Sequence, residues 1–317
     1  IAVSLFFSRR KSQINSQGIL TVEIATFIYD IIWSPVLVGL LLGTGAYFSF
    51  RSRFVQLRMI PEMIRLMFQQ SQDKSGVSSF QALCMTLASR VGTGNIAGVA
   101  TAICFGGPGA LFWMWVVAFL GASSAFVEST LGQIYKEKIN GEFTGGPAFY
   151  IEHGAKNKFF AWVFALVTLT AAGILCPGVQ SNAIAAAMDH AFGINHAISA
   201  AVICSLLCFI VFGGLKRIAT FTTLVVPFMA ISYLVVALVT CFYNLDRIPG
   251  VFHLVFTSAF GAEGLLGGMA GSAVSWGVKR GLYSNEAGQG SGPHASSAAS
   301  VSHPAKQGLV QAFSVYI

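Results

Sequence analysis

Charged side chains are scarce in this sequence, and their scarcity limits the classes of protein that it can encode. Only 10% of its 317 residues are Asp, Glu, Lys or Arg, whereas roughly 25% is typical of soluble domains. A soluble globular domain is therefore excluded. Hydrophobic residues make up 55% and fall into separate blocks of about 20, the length that a helix needs to cross a hydrocarbon core of roughly 30 Å. The composition predicts an all-α, polytopic membrane protein in contact with the lipid bilayer.

The residue patterns of metal, disulfide and nucleic-acid sites are also missing. The six cysteines lie in or at the ends of apolar blocks with no close metal-ligand pair, so neither a disulfide scaffold nor a zinc site is indicated. The net charge is +7, but no basic cluster is interleaved with aromatic residues, which argues against a nucleic-acid partner. We therefore expect no cofactor and interpret the positive charge as a topology signal.

Hydropathy divides the chain into an unassigned N-terminal segment, 1–30, and a membrane domain, 31–317. The first residue is Ile1, and a new apolar stretch begins shortly before Ile317, which predicts a fragment whose membrane domain is incomplete at its C-terminus. The domain contains about seven candidate spans, at 31–50, 80–105, 109–135, 158–188, 196–214, 219–243 and 255–283.

Basic residues predict how these spans are oriented. If the spans simply alternate, the basic residues within 51–74, 136–158, 216–217 and 279–306 all fall on one side of the membrane. By the positive-inside rule that side is cytoplasmic, so the first span runs from outside to inside. Segment 139–157 is too polar to cross, and we expect a cytoplasmic loop with a short interfacial helix there.

The second span contains a pattern that interrupts a helix, Val91-Gly92-Thr93-Gly94-Asn95. A break in a membrane helix is tolerated only where the freed N–H and C=O groups face protein or a water-filled cavity. The two glycines leave amides free to hold an anion, and the side-chain oxygen of Asn95 can coordinate a hard cation such as sodium. The alternative is that these glycines only allow two helices to pack closely.

The fourth span contains Cys176-Pro177-Gly178, and a kink is expected at Pro177 because proline removes a helix hydrogen bond. Two polar residues follow, Gln180 and Asn182, which either line a site or bond to neighbouring helices.

The last span contains a glycine-rich stretch, 260–271, that includes Gly267 and Gly268. Two glycine-interrupted spans, five apart and opposite in direction, are what an inverted repeat of helices gives. In transporters such a pair marks a binding site at the membrane midplane.

Three long motifs resemble the signatures of the alanine or glycine:cation symporter family, which is also called the sodium/alanine symporter family. They are Gly92-Thr93-Gly94-Asn95-Ile96-Ala97-Gly98, Gly106-Gly107-Pro108-Gly109-Ala110 and Arg280-Gly281-Leu282-Tyr283-Ser284-Asn285-Glu286-Ala287-Gly288. The resemblance extends from about residue 33 to 317. It implies membership of the amino acid, polyamine and organocation superfamily and the inverted-repeat fold of the leucine transporter.

The same resemblance implies a set of site residues. The amides of Thr93 and Gly94 and the side chain of Asn95 would face the carboxylate of the substrate, and Gln180 with Asn182 would contribute to the pocket. The backbone carbonyls of two residues, Ala88 and Val91, would form half of a sodium site. Cys176 and Pro177 depart from the family's pattern, which has glycine and asparagine there.

Two charged residues stand close to the predicted site elements. Arg90 precedes the glycine break, with Glu128, Glu263 and Glu286 as possible partners, and charges within the hydrocarbon region invite a functional explanation. A structural ion pair is favoured over a direct role in coupling. Glu286 follows the basic residues at 279–280, so we expect it to fix a loop or gate.

These observations predict a secondary active transporter in a prokaryotic inner membrane. Its expected activity is sodium-coupled symport of a small neutral amino acid, alanine and/or glycine, by alternating access. The alternatives are a proton-coupled carrier, a carrier of another small amino acid, and a channel. An enzyme is not expected, because the spans pair no nucleophile with a base. A channel requires a filter or a ring of charge built by symmetry, whereas paired helix breaks favour a transporter.

Overall fold

The computed structural model describes residues 16–69, 76–261 and 267–317, and most of them are helical. The chain divides into two compact units, Ile1–Gly43 and Thr44–Ile317. The first unit contributes α1 (Ser16–Ile32) and the start of α2 (Pro35–Arg51).

The described part of the second unit contains the remaining helices and a β-hairpin. Up to the hairpin the helices are α3 (Val55–Arg58), α4 (Ile60–Met67), α5 (Ser79–Arg90), α6 (Thr93–Gly106) and α7 (Ala110–Ile134). The hairpin pairs β1 (Glu137–Ile139) with β2 (Glu142–Thr144) in antiparallel register. The helices after it are α8 (Pro147–His153), α9 (Lys158–Thr170), α10 (Cys176–Phe192), α11 (His196–Val211), α12 (Gly214–Tyr243), α13 (Ile248–Ala259), α14 (Gly267–Asn285), α15 (Ser291–Ser297) and α16 (Pro304–Phe313).

Local sequence explains where several of these helices begin. A capping box starts α5, because the Ser78 hydroxyl accepts from Gln81 N at 3.2 Å and the Gln81 side chain accepts from Ser78 N at 2.9 Å. Asn157 and Asn195 cap α9 and α11 with one bond each, since their side-chain oxygens accept from Phe160 N and Ala197 N. Gly193, with φ of 66°, ends α10 in the left-handed conformation that glycine adopts without strain.

Four helical stretches within the described residues are long and apolar enough to cross a membrane: Thr26–Arg51, Ala110–Ile134, Lys158–Phe192 and Gly214–Tyr243. Two shorter apolar helices, Thr93–Gly106 and His196–Val211, accompany them. The predicted span 80–105 is divided between α5 and α6. The predicted span 255–283 falls on α13 and α14, and residues 262–266 lie outside the described part of the chain.

A π-helical segment lies next to Pro177, where the sequence predicts a kink. Residues Ala171–Leu175 form this segment between α9 and α10, and Pro177 lies in the first turn of α10. Since proline has no N–H to donate, the carbonyl that would pair with it in a regular helix is released, and the wider π turn accommodates the change.

Helix α7 lies at the centre of the second unit, with α14, α15 and α16 packed against it. Small residues allow this close approach: a Cβ added at Gly277 of α14 would lie 2.5 Å from the Ala110 carbonyl oxygen of α7. By contrast, α12 leaves apolar side chains such as Leu224 and Phe228 about three-quarters exposed, at 75% and 74%. Apolar surface of this extent marks contact with lipid or with other protein.

Candidate functional site

The glycine motif interrupts the helix, but the break is shorter than the stretch from Gly92 to Asn95 that the sequence pattern suggests. The last residue of α5 is Arg90, and α6 begins at Thr93, so the break consists of Val91 and Gly92, called here the first interruption. Val91 has an extended backbone, with φ of −88° and ψ of 94°. A helix that ends and restarts within two residues leaves carbonyl oxygens on one side and amides on the other without helical partners.

Gln180 meets the first interruption directly. The Thr93 amide donates to its side-chain oxygen at 3.4 Å, and a Cβ added at Gly92 would lie 3.2 Å from its side-chain nitrogen. The structure therefore brings together two of the residues that the sequence singled out, 87 positions apart. Asn182, two residues farther along α10, is exposed.

Asn95 joins α6 to α14. Its side-chain oxygen accepts a hydrogen bond from the Ser284 hydroxyl at 2.9 Å. Both residues line a cavity of about 280 Å³, a size suited to a small molecule. The other lining residues are Arg90, Val91, Val99, Leu111, Met114, Trp115, Ala118, Gly281, Asn285, Ser314, Val315 and Ile317.

Thr93 and Asn95 therefore have different neighbours. Gln180 is not among the residues that line this mostly apolar cavity, although it contacts the Thr93 amide. The Thr93 amide and the Gln180 side chain at the first interruption are polar groups that suit the carboxylate and ammonium of an amino acid. We place the candidate site there for this reason, with Asn95 between it and the cavity.

Gly94 packs against α14 at Tyr283, since a Cβ added at Gly94 would lie 3.3 Å from the tyrosine ring. Near the other end of α14, the Ser272 hydroxyl bonds the Phe105 carbonyl at 2.9 Å, so α6 and α14 run antiparallel. The structure places Gly267 and Gly268 at the start of α14, about 23 Å along the helix axis from Tyr283 at 1.5 Å per residue. A substrate-binding role for these two glycines stays a prediction.

A second interruption separates α14 from α15 over residues 286–290, at the end of the third motif, where Glu286 was expected to fix a loop or gate. Gly288 and Gly290 adopt left-handed conformations there, with φ of 83° and 86°. Glu286 also has positive φ, 51°, and its carboxylate accepts hydrogen bonds from the hydroxyls of Ser89 on α5 and Ser291 on α15. The signal available in the sequence was Gly288-Gln289-Gly290 after Asn285-Glu286-Ala287.

The expected ion pair of Arg90 is absent from the described residues, where no carboxylate lies within 4.0 Å of its guanidinium. Arg90 is 4% exposed, and Nη1 donates to the Gln311 carbonyl and the Ser314 hydroxyl near the end of α16. Glu263 lies outside the described residues. The hydrogen bonds to α16 correct the sequence-based interpretation, since they hold Arg90 without a carboxylate in contact.

Ala88 and Val91 lie in the last turn of α5 and in the first interruption. Val91 N donates to Leu87 O at 2.8 Å, which is the final helical hydrogen bond of α5. The Ala88 carbonyl belongs to the terminal turn, whose carbonyls have no helical partner, and Val91 follows with an extended backbone. Neutral carbonyl oxygens of this kind are suitable ligands for a sodium ion, which would be cargo of the protein.

Comparison with known proteins identifies the family. The model of the sodium:alanine symporter family matches residues 19–317. This chain belongs to the sodium:alanine symporter family. The motifs at both helix interruptions lie within the matched region.

Individual relatives agree with this assignment. Over 287 residues, 90% of the chain, it is 57% identical to the Bacillus subtilis (strain 168) protein named "Putative sodium/proton-dependent alanine carrier protein YrbD", and this covers 59% of that protein. It is 46% identical to the "Probable sodium/glutamine symporter GlnT" of the same organism over 90% of the chain and 60% of the relative. It is 40% identical to the "Sodium/alanine symporter AgcS" of Methanococcus maripaludis over 91% of the chain and 66% of the relative. The chain spans about three-fifths of the length of the Bacillus relatives.

Proposed function

We propose that this protein is a multi-pass membrane carrier that couples the uptake of a small neutral amino acid, alanine and/or glycine, to sodium by alternating access. The observation that carries the proposal is the meeting of Gln180 with the Thr93 amide at the first interruption. Family membership and the apolar helices support it. The bacterial relatives favour a prokaryotic cell membrane.

The geometry gives a reason for carboxylate binding at Thr93. Its amide has a neutral partner at 3.4 Å, a long hydrogen bond, so a substrate carboxylate at a normal distance of about 2.9 Å would be a stronger acceptor. Gln180 would then turn to another group of the same substrate. Tyr283 packs beside Gly94 on the α14 side. A ligand with little or no side chain would fit best next to this contact.

Sodium is the proposed coupling ion, with the carbonyls of Ala88 and Val91 as two of its ligands. Carbonyl and amide oxygens do not titrate near neutral pH, and they bind hard cations. Proton coupling is the alternative, since the name of the 57% identical Bacillus subtilis relative includes both sodium and proton. Glutamine is a second substrate candidate, because one relative carries that name.

Uptake measurements with the protein in proteoliposomes separate these possibilities. Radiolabelled alanine should accumulate against its gradient when sodium is supplied outside and should not accumulate when choline replaces sodium at fixed pH. Equal accumulation in choline would contradict sodium coupling, and accumulation driven by a pH gradient alone would show proton coupling. A channel would be indicated if the rate of alanine uptake did not saturate with concentration and alanine did not accumulate against its gradient. Competition with unlabelled glycine, glutamine and D-alanine defines the substrate range.

A further inference from the structure

Glu128 is a buried carboxylate that contacts the second interruption. It lies on the unbroken, 25-residue α7 and is 8% exposed. Its Oε1 accepts from Gly288 N and its Oε2 from Gly290 N, each at 3.2 Å. Because the chain has left α14 and not yet entered α15 at these residues, their amides have no helical carbonyl to bind. A single side chain therefore supplies two acceptors to a segment that lacks regular partners.

The backbone at this segment requires support from outside. Gly288 and Gly290 both hold left-handed φ angles, and the residue between them, Gln289, donates from its side chain to the Leu282 carbonyl at 2.9 Å. Glycine loses more conformational freedom on ordering than any other residue. Two charge-assisted hydrogen bonds from a rigid helix can offset that loss.

Arg90, the last residue of α5 before the first interruption, lies near the same carboxylate. Gly292 separates the two charges: a Cβ added there would lie 3.3 Å from Arg90 Nη2 and 3.7 Å from Glu128 Oε1. Of the guanidinium nitrogens, Nη1 bonds to Gln311 and Ser314, while Nε and Nη2 are buried with no hydrogen-bond partner among the described residues. Glu128 thus has two separable properties, its negative charge near Arg90 and its pair of acceptor oxygens toward the glycine amides.

We propose that Glu128 is a positioning residue whose two carboxylate oxygens fix the backbone of the second interruption and thereby place Ser284 against Asn95. The consequence for substrate binding rests on the proposed function, whereas the effect on the backbone does not. Glutamine at this position offers one acceptor oxygen and one N–H₂ donor, so it can bind only one of the two amides and directs its donor at the other.

Hydrogen exchange tests the backbone effect without any assay of transport. In detergent-solubilised protein, Glu128→Gln should speed amide exchange in peptides covering 286–292 by at least about tenfold. This is the loss of protection expected when a hydrogen bond to a charged group is removed. Peptides from α12 should keep their rates. Glu152→Gln is the matched control, since Glu152 is a partly exposed carboxylate whose nearest cation, Lys158, lies at 3.7 Å. Unchanged exchange at 286–292 in Glu128→Gln would overturn the proposal.

A double variant separates position from charge. If Glu128 only compensates Arg90, adding Arg90→Met to Glu128→Gln should return exchange at 286–292 to the rate of Arg90→Met alone. The positioning proposal predicts that exchange stays fast, because the glycine amides remain without their acceptors. Complete restoration by the double variant would contradict it.

Glu128→Asp keeps the proposal testable if Glu128→Gln gives no monodisperse protein. Aspartate keeps the charge opposite Arg90 and is one methylene shorter, so exchange at 286–292 should again be faster than in the unsubstituted protein, and an unchanged rate would overturn the proposal. In uptake assays, Glu128→Gln should raise the half-saturation concentration of alanine more than it lowers the maximal rate. Fast exchange in Glu128→Gln, with no alanine uptake by the unsubstituted protein, would leave the positioning role intact and reject the proposed function.

Discussion

At the scale of single residues, Gln180 and Asn182 can be told apart by their surroundings. Side chains two apart on a helix point about 200° from each other, and Gln180 is the one in contact with Thr93. Gln180→Ala should therefore raise the half-saturation concentration for alanine several-fold, whereas Asn182→Ala should change it little. Concentration-dependent uptake measures both. A larger effect of Asn182→Ala would show that the face of α10 toward the site is assigned wrongly.

Asn95 and Ser284 form a second pair whose roles can be compared. A direct ligand role for Asn95 predicts that Asn95→Ala weakens alanine binding by tenfold or more. The reason is that a hydrogen bond to a charged group contributes on the order of 1.5–3 kcal/mol. If Asn95 acts mainly through Ser284, then Ser284→Ala should produce the same loss. Binding of alanine to each purified variant provides the measurement. A loss confined to Asn95→Ala identifies a ligand, and unchanged affinity in both variants removes the pair from the site.

Some of these residues could be found from the sequence, and others could not. The first interruption was predictable because glycine and asparagine inside an apolar block are locally conspicuous at Gly92 to Asn95. The Asn95–Ser284 bond was not, since its partners are 189 positions apart and hydropathy contains no information on such contacts. Glu128 was noticed only as a charge. Its bonds to the glycine amides depend on how α7 packs against α14 and α15.

At the scale of helices and strands, the glycines of α14 test how closely it packs on α7. A Cβ added at Gly277 would lie 2.5 Å from the Ala110 carbonyl oxygen and 2.7 Å from Trp113 Cβ, whereas nothing lies within 4 Å of one at Gly271. Gly277→Ala should lower the melting temperature of the solubilised protein, because backbone must shift. Gly271→Ala, the control in the same helix, should leave it unchanged or raise it slightly, since alanine favours helix by about 1 kcal/mol. Equal melting temperatures would show that α14 packs differently.

The β1–β2 hairpin and the second interruption have local sequence signals that a hydropathy profile does not detect. The hairpin β1–β2 was expected to be loop, although Asn140-Gly141 at its turn is a typical hairpin dipeptide, and both residues have positive φ. The second interruption was taken as the region after a span that ended at residue 283. In the structure α14 continues to Asn285, and the break follows it. Hydropathy predicts which segments can lie in a membrane, but it does not predict where helices end and begin within or beside those segments.

At the scale of the whole molecule, the charge distribution predicts which side of the membrane each loop faces. The hairpin at Lys138 should face the cytoplasm, and the turn after α12, at Asp246, should face outside. In a background with the native cysteines replaced by serine, a membrane-impermeant maleimide should label Asp246→Cys in intact cells. It should label Lys138→Cys only in inverted vesicles. Both residues are exposed and charged, which makes them a matched pair. Labelling of both from one side would refute the predicted alternation of spans.

The π-helical segment at Ala171–Leu175 has a consequence for how α10 could evolve. A π turn amounts to one residue inserted into an α-helix, and each residue advances the helix by about 100°. Every side chain after the insertion, Gln180 included, is thereby turned onto a different face from the one that an unbroken α9–α10 rod would give it. The contact between Gln180 and Thr93 is set by the number of residues in one wide turn. Loss of a single codon there would rotate the polar face of α10 away from the site while leaving every side chain of the site unaltered.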